Sequence, residues 1–404
     1  MTGLLGALAD AWAEIRVHRM RVLLSLIGIA VSVAALTAVI AFSEYSMQSQ
    51  IEQSDRYGGR AATVAVTPLD ETGTPVDVAA FQARFDRVAE RYGFSHVARV
   101  VDGVEVQVQS PDGVRATMAR LIDPSYTVIH REQLLVGREF RAEDVEALAP
   151  PVIISEPMWE RLGSVPLDQH PTISLVGDAG GTYQIVGVRP KQWPGDGDVR
   201  IDLLLDSYAS RVDGLPEGAQ PRWDIWIGAE DVSSVGPVLA MDLRSGLPDG
   251  QDVMVDRTDI GAQSGYAESM RIQELVMGGI AGLILALGAL GLINIQLVAM
   301  RQRVREIGVR RAFGATTARV FSTVFLESLV ATTVAGVIGI ALTVAVLRWI
   351  MAADVMSMNL QDVPPFPMRA ALTGLLAAVI VGALSGFIPA LVALRVKVID
   401  AIRF

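Results

Sequence analysis

Residues 301–319 read RQRVREIGVRRAFGATTAR and separate two apolar runs that are each long enough to cross a bilayer. The segment holds six arginines and a single acid, Glu306. An excess of positive charge in a short loop beside membrane spans holds that loop on the cytoplasmic side. The segment therefore predicts the orientation of the whole chain, and it is where a cytoplasmic partner is expected to bind.

Four apolar runs predict membrane-spanning helices. Val22–Ser43, Leu275–Met300 and Ala370–Leu394 carry no charge over 22, 26 and 25 residues, and Val320–Leu347 carries one charge, Glu327, in 28 residues. A helix of about 20 apolar residues crosses the hydrocarbon core. Buried helices of soluble proteins are usually shorter and carry polar stripes. The first run is also too long for a cleaved secretory signal, so we interpret it as an uncleaved anchor.

Charge divides the chain into two parts of opposite sign. Residues 44–274 contain 20 Lys and Arg against 37 Asp and Glu, a net charge of −17, whereas the remaining residues have a net charge of +7. The N-terminus, the 301–319 segment and the tail after Leu394 are all net basic. This distribution predicts that both termini are cytoplasmic and that residues 44–274 lie outside. An acidic domain of this kind does not favour nucleic acid as a partner.

The fold class predicted is an α-helical membrane protein with four transmembrane helices and an α+β extracytoplasmic domain inserted between helices 1 and 2. Residues 44–274 are called the outer domain below, and residues 301–319 the coupling segment. The predicted parts in chain order are a cytoplasmic amphipathic helix (1–21), transmembrane helix 1 (22–43), the outer domain with helical stalks (44–274), transmembrane helix 2 (275–300), the coupling segment (301–319), transmembrane helix 3 (320–347), an extracytoplasmic loop (348–369), transmembrane helix 4 (370–394) and a cytoplasmic tail (395–404).

Local patterns in the outer domain predict mixed strands and helices, arranged in two subdomains. An apolar stripe after Asp77 predicts a helix with that residue as its N-cap and Gly93 at its end. The absence of Gly and Pro from Glu44 to Tyr57 predicts that the first span continues as a helical stalk. The predicted strands are Thr63–Thr67, Val104–Gly113 with its Pro-Asp-Gly turn, and a hairpin of Thr172–Val176 and Thr182–Val188 around Asp178-Ala179-Gly180-Gly181.

The motifs that carry common enzyme chemistry are absent from the sequence. The two lysines, Lys191 and Lys397, do not lie in a phosphate-binding loop motif, and there is no G-x-S-x-G elbow. The four histidines are isolated and there is no cysteine, so the sequence predicts no metal site. We therefore expect no catalytic residues and a chain that is not an enzyme.

Small residues at four-residue spacing predict places where membrane helices approach one another closely. Each such pair is a weak signal alone, because glycine is common in membrane helices. The predicted packing pairs are Gly28 with Ser32, Gly278 with Gly282, and Gly382 with Gly386.

Two polar residues stand out within the predicted spans, Asn294 and Glu327. Glu327 follows Arg319 by eight residues, or about 12 Å along a helix. A carboxylate at such a depth either pairs with an arginine near the headgroups or takes part in a proton relay. The sequence leaves both roles open, and we favour the structural one.

These residues resemble a known family, the MacB/FtsX-like permeases of ABC transporters, also called the mechanotransmission class. The resemblance covers nearly the whole chain: the outer domain contains LLVGREF (residues 134–140), Gly336 and Gly339 follow Glu327, and Pro389–Arg403 is similar to the family's ending, except for Ile399-Asp400 where a proline is common. The residues that match the family's loop motif are Asn294, Arg303, Glu306, Ile307, Gly308, Arg310, Ala312, Gly314 and Ala315.

The resemblance implies a permease that works with a separate ABC ATPase, either as a homodimer or paired with a second permease. That ATPase would bind ATP, so no cofactor is expected on this chain, whose other partner is membrane lipid. The implied cellular location is a bacterial cytoplasmic (inner) membrane, and the implied function is export or extraction of a hydrophobic or peptide-like substrate. The residues implied to couple to the ATPase are Arg303, Glu306, Gly308, Arg310, Arg311 and Gly314, within a short helix.

Two alternatives remain open from the sequence. The arginines of the coupling segment would also serve simple positive-inside anchoring, although anchoring leaves the spacing of the E-I-G and G-A residues unexplained. A permease of this kind would also suit a signalling or scaffold role, in which the outer domain regulates a cell-wall hydrolase or a sensor without transport.

Overall fold

The computed structural model describes residues 19–70, 76–192, 195–216, 218–228, 232–260, 266–313, 316–352 and 365–394. The described residues form two compact units. A membrane unit contains the chain up to Met47 and from Glu268 onward, and an outer unit contains Gln48–Ala267. Almost all of the predicted amphipathic helix (1–21), most of the predicted loop at 348–369 and the whole tail (395–404) lie outside the described residues.

The elements of the outer unit alternate between strands and short helices, and four long helices lie before and after them. The helices are α1 (Arg19–Gly58), α2 (Val78–Tyr92), α3 (Tyr126–His130), α4 (Glu156–Arg161), α5 (Leu205–Val212), α6 (Val232–Arg244), α7 (Tyr266–Ala312), α8 (Thr317–Ala352) and α9 (Met368–Leu394). The strands are β1 (Thr63–Asp70), β2 (His96–Ser110), β3 (Gly113–Ile122), β4 (Val136–Gly137), β5 (Pro151–Ser155), β6 (Thr172–Val176), β7 (Gly181–Arg189), β8 (Arg200–Leu204), β9 (Arg222–Trp226) and β10 (Gln251–Arg257).

Four of the described helices are long and apolar enough to cross a membrane. The qualifying stretches are Ile27–Gly58, Glu268–Val298, Thr317–Met351 and Met368–Leu391. They lie on both sides of the α+β outer unit in sequence, so the predicted fold class is confirmed. The first helix is unbroken through Gly58, as the lack of Gly and Pro between Glu44 and Tyr57 predicts.

The strands of the outer unit form one sheet of ten strands, so the two predicted subdomains are wrong. Its order is β10-β1-β9-β2-β3-β8-β5-β7-β4, and β6 pairs with β2 and β7. The unforeseen link is β9, which pairs antiparallel with both β1 and β2 and so joins the two halves. A strand from late in the sequence fills this gap, and the sheet is therefore continuous.

The local sequence signals correspond to the elements observed. Asp77 caps α2, because its carboxylate accepts a hydrogen bond from the Ala80 N–H at 3.0 Å. Gly93 ends the helix with φ of 68°, a left-handed conformation that glycine adopts without a Cβ penalty. The predicted hairpin is present as β6 and β7, with Leu175 opposite Gly181.

Separate apolar cores cover different parts of the sheet. At the β10-β1-β9 end, Trp223 packs against Phe81 of α2, with ring centroids 4.8 Å apart, and against Leu239 of α6. Near the middle, one face carries a core that includes Val106, Leu121 and Tyr208. The opposite face carries a second core that includes Ile122, Ile129 and Ile153. Polar residues that occur among the alternating side chains of this second face form the ion cluster described below.

Candidate functional site

The coupling segment is part of a long helix rather than a short separate one. Helix α7 runs without a break from Tyr266 to Ala312, and α8 begins at Thr317. The prediction of a short helix is therefore wrong. Between Gln296 and Ala312 the sequence contains no proline and only one glycine, Gly308, so nothing in it ends the helix of the second span.

Five of the six predicted coupling residues lie on the last three turns of α7. These are Arg303, Glu306, Gly308, Arg310 and Arg311, whereas Gly314 lies outside the described residues. Two apolar residues that the sequence analysis did not single out lie among them. Val309 is exposed, and Phe313, four residues later, is 89% exposed at the end of the helix. Residues four apart share one helix face, so this arginine-rich end also presents an apolar pair to the surroundings.

Glycines let the last two membrane helices approach closely. A Cβ added to Gly386 of α9 would lie 2.7 Å from Cβ of Ser328 in α8, and one added to Gly382 would overlap the Thr332 hydroxyl. A Cβ added to Gly336 of α8 would meet Ala378 at 2.5 Å. These distances are shorter than van der Waals contact, so any larger residue would separate the two helices.

The other two predicted packing pairs lie in different surroundings. The Ser32 side chain of α1 occupies the space into which a Cβ on Gly288 of α7 would project, while a Cβ on Gly28 itself meets no described heavy atom within 4 Å. A Cβ added to Gly278 or Gly282 likewise meets no heavy atom within 4 Å in the described part of the chain. Close approach on α7 therefore occurs at Gly288, ten residues beyond Gly278.

Further close approaches join α1 to the helices after the outer domain. A Cβ on Gly339 of α8 would overlap the Ala30 carbonyl of α1, and one on Gly374 of α9 would overlap the Thr37 hydroxyl. The Thr343 hydroxyl donates a hydrogen bond to the Ala34 carbonyl at 2.9 Å. Gly339 is among the glycines noted for resemblance, whereas Gly374 has only alanines at four-residue spacing and was not singled out in the sequence.

The intramembrane polar residues are distributed over α7 and α8. Asn294 is exposed on α7, and Glu327 is half-buried on α8. The side-chain amide of Gln296 donates to the Ser328 hydroxyl, which joins these two helices one residue beyond Glu327. Sequence reasoning missed Gln296 because a single amide near the end of an apolar run carries no distinctive pattern.

A buried ion cluster occupies the centre of the outer unit. Arg120 of β3 donates to Asp202 of β8 at 3.0 Å and to Glu132 at 2.9 Å, and Arg189 of β7 also contacts both acids. Burial alone would raise the pKa of Asp202, but the two guanidinium groups outweigh burial and hold that pKa at about 2. The pKa of Glu132 is lowered by the same arginines against the effect of its burial. These two acids are therefore ionised at neutral pH.

Glu139 differs from Glu132 and Asp202 in its hydrogen bonding and in its pKa. Its carboxylate lies 3.7 Å from the Arg189 guanidinium, and neither of its buried oxygens accepts a hydrogen bond from a described residue. Burial raises its pKa to about 7, and the nearby charge of Glu132 adds to this effect although Arg189 opposes it. The cluster therefore changes its charge near neutral pH at this one residue.

A second buried pair joins α1, α3 and the sheet. His130 lies 3.0 Å from the Arg56 carbonyl through Nδ1 and 3.0 Å from the Asp224 carboxylate through Nε2. Arg222 donates two further hydrogen bonds to Asp224, at 2.7 and 3.0 Å. Burial would raise the pKa of Asp224, but its bonds to His130 and Arg222 lower it. The isolated His130 of the sequence is thus a core residue of the outer unit.

No group of three or more metal-ligating side chains occurs within the described residues. The acids of the ion cluster face arginines, which already neutralise them. The arrangement is therefore that of a core of buried ion pairs.

Two family models match this chain. One describes a MacB-like periplasmic core domain and matches residues 22–244, and the other describes an FtsX-like permease C-terminal region and matches residues 278–398. The first alone covers more than half of the chain. Together the two models include the first, third and fourth candidate spans in full and the end of the second.

Named relatives resemble the chain along almost its full length. The ABC transporter permease YknZ of Bacillus subtilis is 25% identical, and the alignment covers 98% of each chain. The macrolide export ATP-binding/permease protein MacB of Nitrosomonas europaea is also 25% identical, over 99% of this chain. The pyoverdine export ATP-binding/permease protein PvdT of Pseudomonas syringae is 24% identical over the same share. This chain spans only 59% of the length of either export protein.

Solved structures of similar outer domains are more distant. The extracellular domain of YknZ from Gram-positive bacteria is 14% identical with a TM-score of 0.37, and it covers 48% of this chain and 99% of its own. The periplasmic region of MacB from Actinobacillus actinomycetemcomitans is 12% identical with a TM-score of 0.34, over 49% of this chain and 90% of its own.

Proposed function

This chain belongs to the family of ABC transporter permeases that combine a MacB-like periplasmic core domain with an FtsX-like C-terminal region, and from that membership we propose its function. The chain is a non-catalytic permease subunit that couples ATP hydrolysis by a separate ATPase to work done by its outer domain. That work is the export or extraction of a hydrophobic or peptide-like substrate.

The sequence supports a separate ATPase. Neither lysine lies in a phosphate-binding loop motif, so this chain does not bind ATP by that route. The MacB and PvdT relatives are named ATP-binding/permease proteins, and this chain matches only 59% of their length. YknZ, in contrast, is matched over 98% of its own length and is named a permease, so we propose by analogy that a partner subunit binds ATP.

The observation that carries the proposal is the pair of exposed apolar side chains at the end of α7, Val309 and Phe313. Phe313 is 89% exposed beside Val309, on a helix end that also bears Arg303, Arg310 and Arg311. Anchoring by positive charge requires the arginines but gives no reason for an exposed aromatic side chain. Interfaces between proteins favour aromatic and arginine residues, which together bury apolar area and form directed hydrogen bonds. This helix end thus has the composition of a docking surface for the ATPase.

The orientation follows from the charges. The basic coupling segment favours the cytoplasm, which would place both termini inside and the acidic outer domain outside a bacterial inner membrane. Helix α1 is continuous from Arg19 to Gly58 and would transmit movement of the first span along a rigid element. A dimer, of two copies or with a second permease, would complete the transporter.

Co-purification tests the proposal. We expect a tagged chain to retain an ABC ATPase from detergent extracts of its native membrane and to stimulate its ATP hydrolysis. Phe313→Ala together with Arg310→Glu would remove the apolar contact and reverse one charge, so both readouts should fall roughly tenfold or more. Gly308→Pro should have the same effect by breaking the end of α7.

The control is Arg115→Gln, which removes an exposed arginine in the outer domain. This variant should retain the ATPase at the level of the unmodified chain. Full association and full stimulation in both the Phe313→Ala/Arg310→Glu and the Gly308→Pro variants would overturn the proposed docking surface.

A further inference from the structure

A cavity of about 390 Å³ lies within the outer unit, next to the buried ion cluster. One wall is the last turns of α1, at Gln53, Arg56 and Tyr57. Alternate residues of β3 and β8, such as Met118 and Arg200, contribute to the floor because side chains two apart in a strand share a face. The cavity is polar on several sides and partly apolar, a composition typical of ligand sites.

The charge of the cavity lining is opposite to that of the domain around it. The outer domain has a net charge of −17. The cavity lining contains three acids, Asp102, Glu132 and Asp202, but six cations, Arg56, Arg120, Arg189, Lys191, Arg200 and Arg222. A cationic concave surface within an acidic domain concentrates field lines and attracts anions locally.

The acids that pair with two of these arginines lie behind them. The Arg200 side chain is 35% exposed, whereas that of its partner Asp196 is 1% exposed. The Arg222 side chain is 32% exposed and that of its partner Asp224 is 2% exposed. These two carboxylates are thus covered, and the guanidinium groups in front of them are accessible. Arg222 also has an exposed partner, Asp102 of the lining, at 3.4 Å.

Arg120 and Arg200 differ in how many of their N–H donors remain available to a ligand. Arg120 uses its N–H groups on Asp202, Glu132 and the Tyr126 hydroxyl, so its role is structural. Among the described residues, the Arg200 side chain makes one hydrogen bond, from Nη2 to Asp196. A guanidinium has five N–H donors, so Arg200 keeps several for a ligand. Lys191, paired with Glu160 at the surface, lies in the same wall.

The cationic groups are spread along the cavity. Arg200 begins β8 and Arg222 begins β9, and the order β9-β2-β3-β8 places three strand spacings, or about 14 Å, between these strands. Between them lies the exposed side chain of Met118, and the Tyr57 hydroxyl donates to Gln192 at 3.1 Å on the opposite wall. A ligand that reached both arginines would therefore be elongated and would contact apolar atoms along its length.

We propose that this cavity binds an elongated anionic ligand whose carboxylate or phosphate groups contact Arg200, Lys191 and Arg222. The proposal goes beyond the function above, because it concerns what the outer domain recognises and does not require the ATPase. Arg200 and Arg222 supply hydrogen bonds directed by covered acids, and Met118 and Tyr57 contact the body of the ligand. A free metabolite and a lipid headgroup present the same charged groups to these side chains.

Calorimetry on the purified full chain in a neutral detergent tests this site. The probes are pyrophosphate, citrate and lysophosphatidylglycerol, with lysophosphatidylcholine as the control without net charge. We expect one-to-one binding of at least one anionic probe, with an affinity that falls as salt rises. Preference for the soluble anions indicates a free metabolite, and preference for lysophosphatidylglycerol over lysophosphatidylcholine indicates a headgroup. Failure of all three anions to bind at millimolar concentration would overturn the proposal.

Variants separate this cavity from other basic surfaces. Arg200→Gln with Lys191→Gln should weaken binding roughly tenfold or more, because charged hydrogen bonds are lost. Met118→Glu leaves every ion pair in place and adds a negative charge between the arginines, so it should weaken binding similarly. Arg115→Gln, outside the cavity, should bind as the unmodified chain does. Undiminished binding in Met118→Glu would overturn the assignment, even if the double variant does not fold. ATPase retention by Met118→Glu should be normal, which keeps the two proposals distinguishable.

Discussion

At the residue scale, Glu139 gives the outer unit a pH response that a surface carboxyl would not have. Its pKa is raised by burial from 4.5 to about 7, while Glu132 and Asp202 remain ionised beside it and Arg189 and Arg120 face the same space. The folded state therefore holds the proton of Glu139 more tightly than the unfolded state does. Stability is greatest below the unfolded pKa and is lost as pH rises towards the folded pKa.

We expect the outer unit to lose about 2 kcal/mol of unfolding free energy between pH 5 and pH 8, after allowance for partial solvent screening. Glu139→Gln should abolish this loss and be the more stable protein at pH 8. Urea unfolding, followed by tryptophan fluorescence at both pH values, measures this change in the free energy of unfolding. The matched control is Glu143→Gln, an exposed glutamate, which should keep the pH dependence of the unmodified chain. An unchanged pH dependence in Glu139→Gln would contradict the assignment.

Asp202 is a central member of the ion cluster, because both Arg120 and Arg189 contact it. Asp202→Ala leaves two buried guanidinium groups with only the glutamates as partners, and breaking a buried ion pair in this way costs about 3–5 kcal/mol. We expect a loss of this size in urea unfolding of the full chain. Asp112→Ala removes an exposed aspartate that pairs with Arg115, and it should change stability by less than about 1 kcal/mol. Equal effects of the two substitutions would show that the cluster is not buried in solution.

At the element scale, spacing alone did not reveal which glycines pack. Gly278 with Gly282 and Gly382 with Gly386 have the same spacing, yet only the second pair lies against a neighbouring helix among the described residues. A helix can rotate about its axis without changing its sequence pattern, and the rotation is set by all of its neighbours together. Local signals such as the Asp77 cap were predictable because they depend on residues within one helical turn.

Strand pairing and ion pairing show the same contrast between local contacts, which the sequence predicts, and distant contacts, which it does not. The β6–β7 hairpin was predictable from its turn, whereas the pairing of β1 with β9 joins Thr63 to Trp226 across most of the domain. The ion cluster likewise unites Arg120, Glu132, Arg189 and Asp202, which no short sequence window contains. The helix of the second span continues to Ala312, beyond the predicted end of the span at Met300, because charge marks where a helix leaves the bilayer and not where the helix ends.

The glycine contacts lead to a test of helix packing. Gly382→Leu places a side chain where the Thr332 hydroxyl lies, so α8 and α9 must separate, at a cost of roughly 1–3 kcal/mol. Gly282→Leu places the same side chain in open space and should change the stability of the isolated chain by less than about 0.5 kcal/mol. The melting temperatures of the two variants are compared by thermal unfolding in detergent. Equal melting temperatures would contradict the packing of α8 on α9.

At the scale of the whole molecule, the proposed orientation can be tested by labelling, because the natural sequence contains no cysteine. A cysteine at Asp112, an exposed residue of the outer unit, should react in intact cells with a maleimide that cannot cross membranes. A cysteine at Gln302, within the coupling segment, should react only after the cells are opened, since basic loops remain inside. Labelling of Gln302→Cys in intact cells would reverse the topology and remove the basis for a cytoplasmic ATPase contact.

The first and last strands of the outer unit, β1 and β10, are antiparallel neighbours, with Val64 opposite Arg257. The polypeptide thus returns to within about 5 Å of its own path after nearly two hundred residues. Recombination between distant genes could therefore exchange the whole segment between these two strands, because both of its ends lie at the same place in the sheet. Such an exchange would let lineages vary the ligand that the outer domain recognises while the coupling segment that contacts the ATPase stays unchanged.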